Sequence, residues 1–155
     1  MVQSSVHDRV PGLTRINCIP PSELSGPHLV AEYRELPRIF ALVRGAIARG
    51  EEPNDRRNPE FYTLGKGHVR FFYSRLGYLA ARQAALIAEM QRRGYMPSFL
   101  DPNGLLEGIP PEWCNEWEPT PDAMALNRER ISERVSQAAL RITTAPAGDL
   151  PGAEG

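Results

Sequence analysis

Apolar residues recur with a helical period in three stretches of the chain. From about His28 to Arg49, Leu29, Tyr33, Leu36, Phe40, Val43 and Ile47 follow one another at steps of three and four. That spacing predicts one buried stripe along a helix, ended by Gly50. Pro37 lies inside it; it removes one backbone hydrogen bond and crowds the preceding turn, so a kink is expected there. A second run, Gly67 to Arg93, places Phe72, Leu76, Leu79, Leu86, Ile87 and Met90 on a buried side and stops at Gly94. A third, Pro121 to Ile142, starts with proline near its first turn and offers Met124, Leu126, Ile131, Val135 and Leu140 as apolar contacts. The segment "MPSFLDPNGLLEGIPPEWCNEWEPT" between the last two reads as an irregular loop. The pattern predicts an all-α fold: a compact single domain of three main helices with long irregular loops.

Composition sharpens this picture in a few respects. A chain of 155 residues fits one domain with a real core. Its 15 prolines and 13 glycines concentrate outside the candidate helices, which favours ordered loops over a regular sheet. No apolar run approaches the roughly 20 residues of a membrane span. The opening "MVQSSVHDRV" has no apolar signal-peptide core. Cys18 and Cys114 match no metal spacing and read as reduced thiols, so a cytoplasmic location is expected. Residues 1–13 read as a dispensable leader, 14–141 as the working domain, and 142–155 as a disordered tail that buries little.

Net charge is −1, but it is divided unevenly. Between His28 and Arg93 there are 12 Lys and Arg against 7 Asp and Glu; from Asp101 onward there are 4 Arg against 10 acids. The first part therefore offers either ordinary solvated helix faces or a basic face for a polyanion such as nucleic acid. The first helix carries the candidate chemistry. At about 100° per residue, His28, Glu32 and Glu35 fall within roughly 60° of one another, with Arg34 and Arg38 on the adjoining flank. This presents carboxylate, imidazole and guanidinium groups to one surface expected to be exposed. Routine ion pairing among them is the plainer alternative.

The blocks "TRIN", "HLVAEYRELPR", "LGKGHVRFFYSRL" and "RQAALIAEMQRRG" resemble the phage-type pyrimidine-dimer DNA glycosylase family, also called endonuclease V. The likeness runs from Thr14 to Gly94 and continues more weakly through "IPPEW" and "RERISERVSQ". It implies a compact helical monomer that binds double-stranded DNA at cyclobutane pyrimidine dimers, cuts the glycosidic bond of the 5′ base and nicks the backbone by β-elimination. It implies no metal and no cofactor, and an α-amine on an N-terminal threonine as nucleophile. On this chain the resemblance assigns catalysis to Thr14 and Glu35, and DNA contact to Arg15, His28, Arg34 and Arg38. Its basic positions in the third helix fall on Arg130 and Arg134.

Three features depart from that pattern. Thr14 is preceded by 13 residues, so its nitrogen is an amide unless the leader is removed or translation starts at Leu13. Lys66, the only lysine, stands in the glycine-flanked turn "LGKGH" and is a competing amine or a simple phosphate contact. His68 and Arg70 beside it are candidates for DNA contact, although a histidine at a helix start is more often structural. After Gln137 the chain has no aromatic residue, where family members can carry an aromatic cluster that grips the lesion strand. Trp113 and Trp117 are expected to pack the loop. The departures leave open another lesion, such as a ring-opened purine, or damage binding without catalysis.

Overall fold

A computed structural model describes residues 15–143. Five helices are found there: α1, Gly26–Glu35; α2, Pro37–Ala48; α3, His68–Phe71; α4, Leu76–Arg92; and α5, Pro121–Thr143. Short 3₁₀ turns lie at Pro21–Glu23, Pro102–Leu106 and Pro111–Trp113. No strand occurs among the described residues, and no helix there is long and apolar enough to cross a membrane. The helices divide between two compact units, one extending to Pro119 and the other from Thr120 onward.

The expected kink is a break between α1 and α2. Leu36 keeps helical dihedrals, but Pro37 has no N–H to offer the Tyr33 carbonyl. Gln83 of α4 supplies the missing donor: its Nε2 lies 3.1 Å from that carbonyl. The side chain is fully buried, so the bond is made where water cannot substitute for it. Gly50 and Gly94 follow α2 and α4 with φ of 88° each, a conformation glycine adopts without steric cost.

The second predicted helix is not continuous. It is split into α3 and α4 by Phe72–Arg75. Phe71, Phe72 and Tyr73 are all buried, and one straight helix turns three successive side chains to different faces. Unwinding after Phe71 lets all three enter the interior. The loop at Cys114–Asn115 then takes over the start of α4, where the Asn115 carbonyl accepts from Tyr78 N–H at 3.2 Å. Gly77 permits this approach; a Cβ there would lie 2.7 Å from the Cys114 carbonyl oxygen.

Within the first unit, α1 packs on α4, and the Pro102–Leu106 turn packs on α4 and α2. Ile16, Leu29, Leu36, Ile39, Phe71, Phe72, Leu76, Leu79 and Leu86 are fully buried at its centre. The long loop is ordered by specific ties. Arg44 donates to the carbonyls of Leu105 and Glu107 at 2.8 and 2.7 Å, and Tyr33 Oη accepts from Phe99 N–H at 2.8 Å. Trp113 is buried, and Trp117 joins a cluster with Tyr62, Phe71, Phe72 and Tyr78. Both tryptophans thus pack the loop, as expected.

In the second unit, Thr120 caps α5 through its hydroxyl, which accepts from Ala123 N–H at 3.0 Å. Leu126, Val135 and Leu140, expected to make apolar contacts, are exposed. At about 100° per residue, Leu126 and Leu140 fall roughly opposite Met124 and Val135, so these residues form no single stripe. Ile142 and Thr143, assigned to the tail, continue α5. The leader, Thr14 and the rest of the tail lie outside the described residues.

Candidate active site

The site begins with a segment that is neither helix nor strand. Ile16, Asn17, Cys18 and Ile19 are all buried, so their backbone groups cannot rely on water. Side chains from four distant positions provide the partners. Ile16 N–H donates to His68 Nε2 at 2.9 Å, and Ile16 C=O accepts from Tyr62 Oη at 3.3 Å. The Asn17 carbonyl accepts from Tyr78 Oη at 3.4 Å, and the Ile19 carbonyl from an Arg82 guanidinium nitrogen at 2.5 Å. Burial pushes both tyrosine pKa values well above the ordinary phenol range, so both remain donors at neutral pH.

Glu32 joins this strap to α1. Its Oε1 accepts from Asn17 Nδ2 at 2.8 Å, while Arg82 donates through Nε to Oε2 at 2.9 Å and through a terminal nitrogen to Oε1 at 3.1 Å. Glu32 is only 2 % exposed, which corrects its expected place on an exposed polar surface. The reason lies across the fold: Arg82 enters from α4 and neutralises it. Burial acts against the Arg82 charge, but Glu32 outweighs it and leaves the guanidinium pKa above its ordinary value.

Glu35 is one turn further along α1, half-buried at the helix end. Arg38 in the first turn of α2 pairs with it at 2.8 Å. Arg34 is exposed and makes no ion pair among the described residues. Arg15 is half-buried at the start of the strap. His28 lies in the first turn of α1, where Ser25 Oγ accepts from its N–H at 3.3 Å; its buried Nδ1 has no hydrogen-bond partner among the described residues. The α1–α2 junction therefore brings Arg34, Glu35 and Arg38 together, and Asn17 ties the strap to the same helix. Arg130 and Arg134 are one turn apart on α5, in the second unit, where Arg130 pairs with Glu133 at 3.4 Å.

A largely apolar pocket of about 310 Å³ opens beside Arg34, lined also by Tyr33, Pro37, Gln83, Phe99 and Leu105. Lys66 is exposed between Gly65 and Gly67, whose φ values are 75° and 89°. His68 and Arg70 have structural partners: His68 is buried against Ile16, and Arg70 bonds Glu51 and Asn58. Cys18 and Cys114 are not joined in a disulfide.

A family model of pyrimidine dimer DNA glycosylases matches residues 13–103. The chain belongs to that family. Its general activity is therefore that of a DNA glycosylase in repair, with DNA as the substrate class. The matched stretch begins immediately before Thr14 and includes Arg15, His28, Arg34, Glu35, Arg38 and Lys66, whereas Arg130 and Arg134 lie outside it.

Sequence reasoning missed Asn17, Tyr62, Tyr78 and Arg82 as site-building residues. A signal for the ion pair was nevertheless present. Glu32 is flanked by the Leu29–Tyr33–Leu36 stripe, and Arg82 by Leu79 and Leu86 on α4. Opposite charges beside two buried stripes are a pattern that pairing across the core resolves.

Proposed function

We propose that this glycosylase acts at cyclobutane pyrimidine dimers in duplex DNA and is also an abasic-site lyase, with the free α-amine of Thr14 as nucleophile. The supporting observation is the anchored strap: Asn17, three residues after Thr14, is bonded to Glu32, one turn before Glu35. That bond supports the reading because residue 14 is only three positions from Asn17 along the chain.

An α-amino group has an ordinary pKa of about 8, so a useful fraction is neutral near physiological pH. The neutral amine attacks C1′ of the deoxyribose, and the C1′–N bond to the base breaks. The departing base takes up a proton. Loss of a proton from nitrogen and opening of the ring give an imine, protonated in its reactive form. That imine acidifies the C2′–H; removal of this proton breaks the bond to the 3′ phosphate by β-elimination, and water later hydrolyses the imine. Glu35 has two tasks: its carboxylate stabilises positive charge developing on the sugar, and it carries protons during imine formation and elimination.

Arg34, Arg38 and Arg15 hold backbone phosphates, assisted by His28 and, on α5, by Arg130 and Arg134. A dimer stacks poorly, so bending the duplex there costs less than bending intact DNA. The pocket beside Arg34 receives the base extruded opposite the lesion; its volume and largely apolar walls suit the flat faces of a base.

The test compares the full chain with one beginning Met-Thr14, both termini being verified by mass spectrometry. Ultraviolet-irradiated, ring-opened-purine, abasic and undamaged duplexes are supplied with borohydride and chelator. The expected result is nicking of irradiated duplex and a trapped adduct on residue 14, only where its amine is free. Glu35→Gln is expected to bind irradiated duplex without nicking it. Equal trapping by the uncleaved full chain, abolished by Lys66→Ala, would make Lys66 the nucleophile. Nicking confined to ring-opened purines would reassign the lesion, and retention of damaged DNA without cutting would leave a binding protein.

A further inference from the structure

Near its beginning the strap is held at Ile16, through both its backbone N–H and its C=O. His68 Nε2 accepts from the Ile16 N–H at 2.9 Å. His68 Nδ1 lies 2.8 Å from the Thr63 carbonyl oxygen. A carbonyl only accepts and an amide N–H only donates, so Nδ1 carries the proton and Nε2 presents its lone pair. Tyr62 donates to the Ile16 carbonyl and meets the His68 ring edge-on, with centroids 5.6 Å apart. Tyr62 is held by Trp117, stacked at 5.6 Å with an interplanar angle of 14°. Two supported side chains thus grip the two successive peptide units that meet at Ile16, in an otherwise irregular segment.

We infer that His68 and Tyr62 are positioning residues that act through Ile16 to aim the nitrogen of Thr14. With Ile16 fixed, that nitrogen explores only the backbone torsions of Thr14 and Arg15. Releasing Ile16 lets the whole strap shift, and small misplacements of a nucleophile are expensive in rate. Neither side chain touches substrate in this role. The inference rests on the reading of Thr14 as nucleophile.

The experiment uses the N-terminal form found active in the comparison above, and variants Tyr62→Phe, His68→Phe and His68→Gln. Tyr62→Phe keeps the ring and removes only the hydroxyl; His68→Gln retains an acceptor and a donor, whereas His68→Phe has neither. Four quantities are measured: hydrogen exchange at the Ile16 amide, affinity for irradiated duplex, the single-turnover rate of borohydride trapping, and the residue bearing the adduct. Tyr62→Phe and His68→Phe are expected to speed Ile16 exchange and slow trapping roughly 10- to 100-fold, with wild-type affinity. His68→Gln is expected to restore part of both. Wild-type trapping rates despite faster Ile16 exchange would overturn the inference, as would unchanged exchange or an equal fall in affinity and trapping. A wild-type adduct on any residue other than 14 would instead refute the nucleophile itself, and the positioning role with it.

Discussion

Arg82→Leu tests the foundation of the site most directly. The Arg82 and Glu32 side chains are 5 % and 1 % exposed, with their nearest charged atoms 2.9 Å apart. Leucine removes both bonds to Glu32 and the bond to the Ile19 carbonyl. The carboxylate then keeps only the Asn17 amide as a partner among these contacts. Breaking a buried ion pair from one side costs about 3–5 kcal/mol, against a domain stability of about 5–15 kcal/mol. At roughly 2–4 °C per kcal/mol for a chain of this size, the melting temperature should fall by about 6–20 °C. Urea and thermal unfolding followed by far-ultraviolet circular dichroism at pH 7 measure the change. The double variant Glu32→Leu/Arg82→Leu removes both charges and should be more stable than either single variant. The argument fails if Arg82→Leu unfolds within about 1 kcal/mol of wild type, or if the double variant is no better than the singles.

Arg34→Gln should leave stability within about 0.5 kcal/mol, because the side chain is exposed and without an ion pair among the described residues. If it contacts a phosphate, the slope of log affinity against log salt should become shallower by about 0.9; an unchanged slope would remove it from the DNA interface. Gly77→Ala should destabilise by about 1–3 kcal/mol in denaturant titration, although helix propensity alone favours alanine, because its Cβ meets the Cys114 carbonyl oxygen at 2.7 Å. A gain in stability would contradict that close approach. Glu89 is held down from the ordinary 4.5 to about 2 by hydrogen bonds from Arg92 and Arg93. Its contribution is fully present above the unfolded pKa and is lost as pH falls through the folded value, so Glu89→Gln should flatten acid destabilisation between about pH 4.5 and 2. Identical pH profiles for the two proteins would exclude this contribution.

The sequence by itself determined the helical class, the interruption at Pro37 and the stops at Gly50 and Gly94. These depend on local effects: side-chain periodicity, a missing N–H and a glycine able to adopt positive φ. It also carried enough local identity around "HLVAEYRELPR" to point to the family and to single out Arg34, Glu35 and Arg38. Only the tertiary structure decided that the predicted second helix breaks after Phe71, because three adjacent aromatic side chains enter the interior there. It likewise separated Glu32 from Glu35. The two carboxylates are neighbours on one helix face, but Arg82, fifty residues beyond Glu32, reaches one of them and makes it a buried anchor. The partners of Ile16, Asn17 and Ile19 were equally hidden from a linear reading, since Tyr62, His68, Tyr78 and Arg82 come from remote parts of the chain. Periodicity reports which face of an element is apolar. Whether a charge or an irregular backbone is tolerated in the interior depends on which partner arrives from another element, and only folding brings them together.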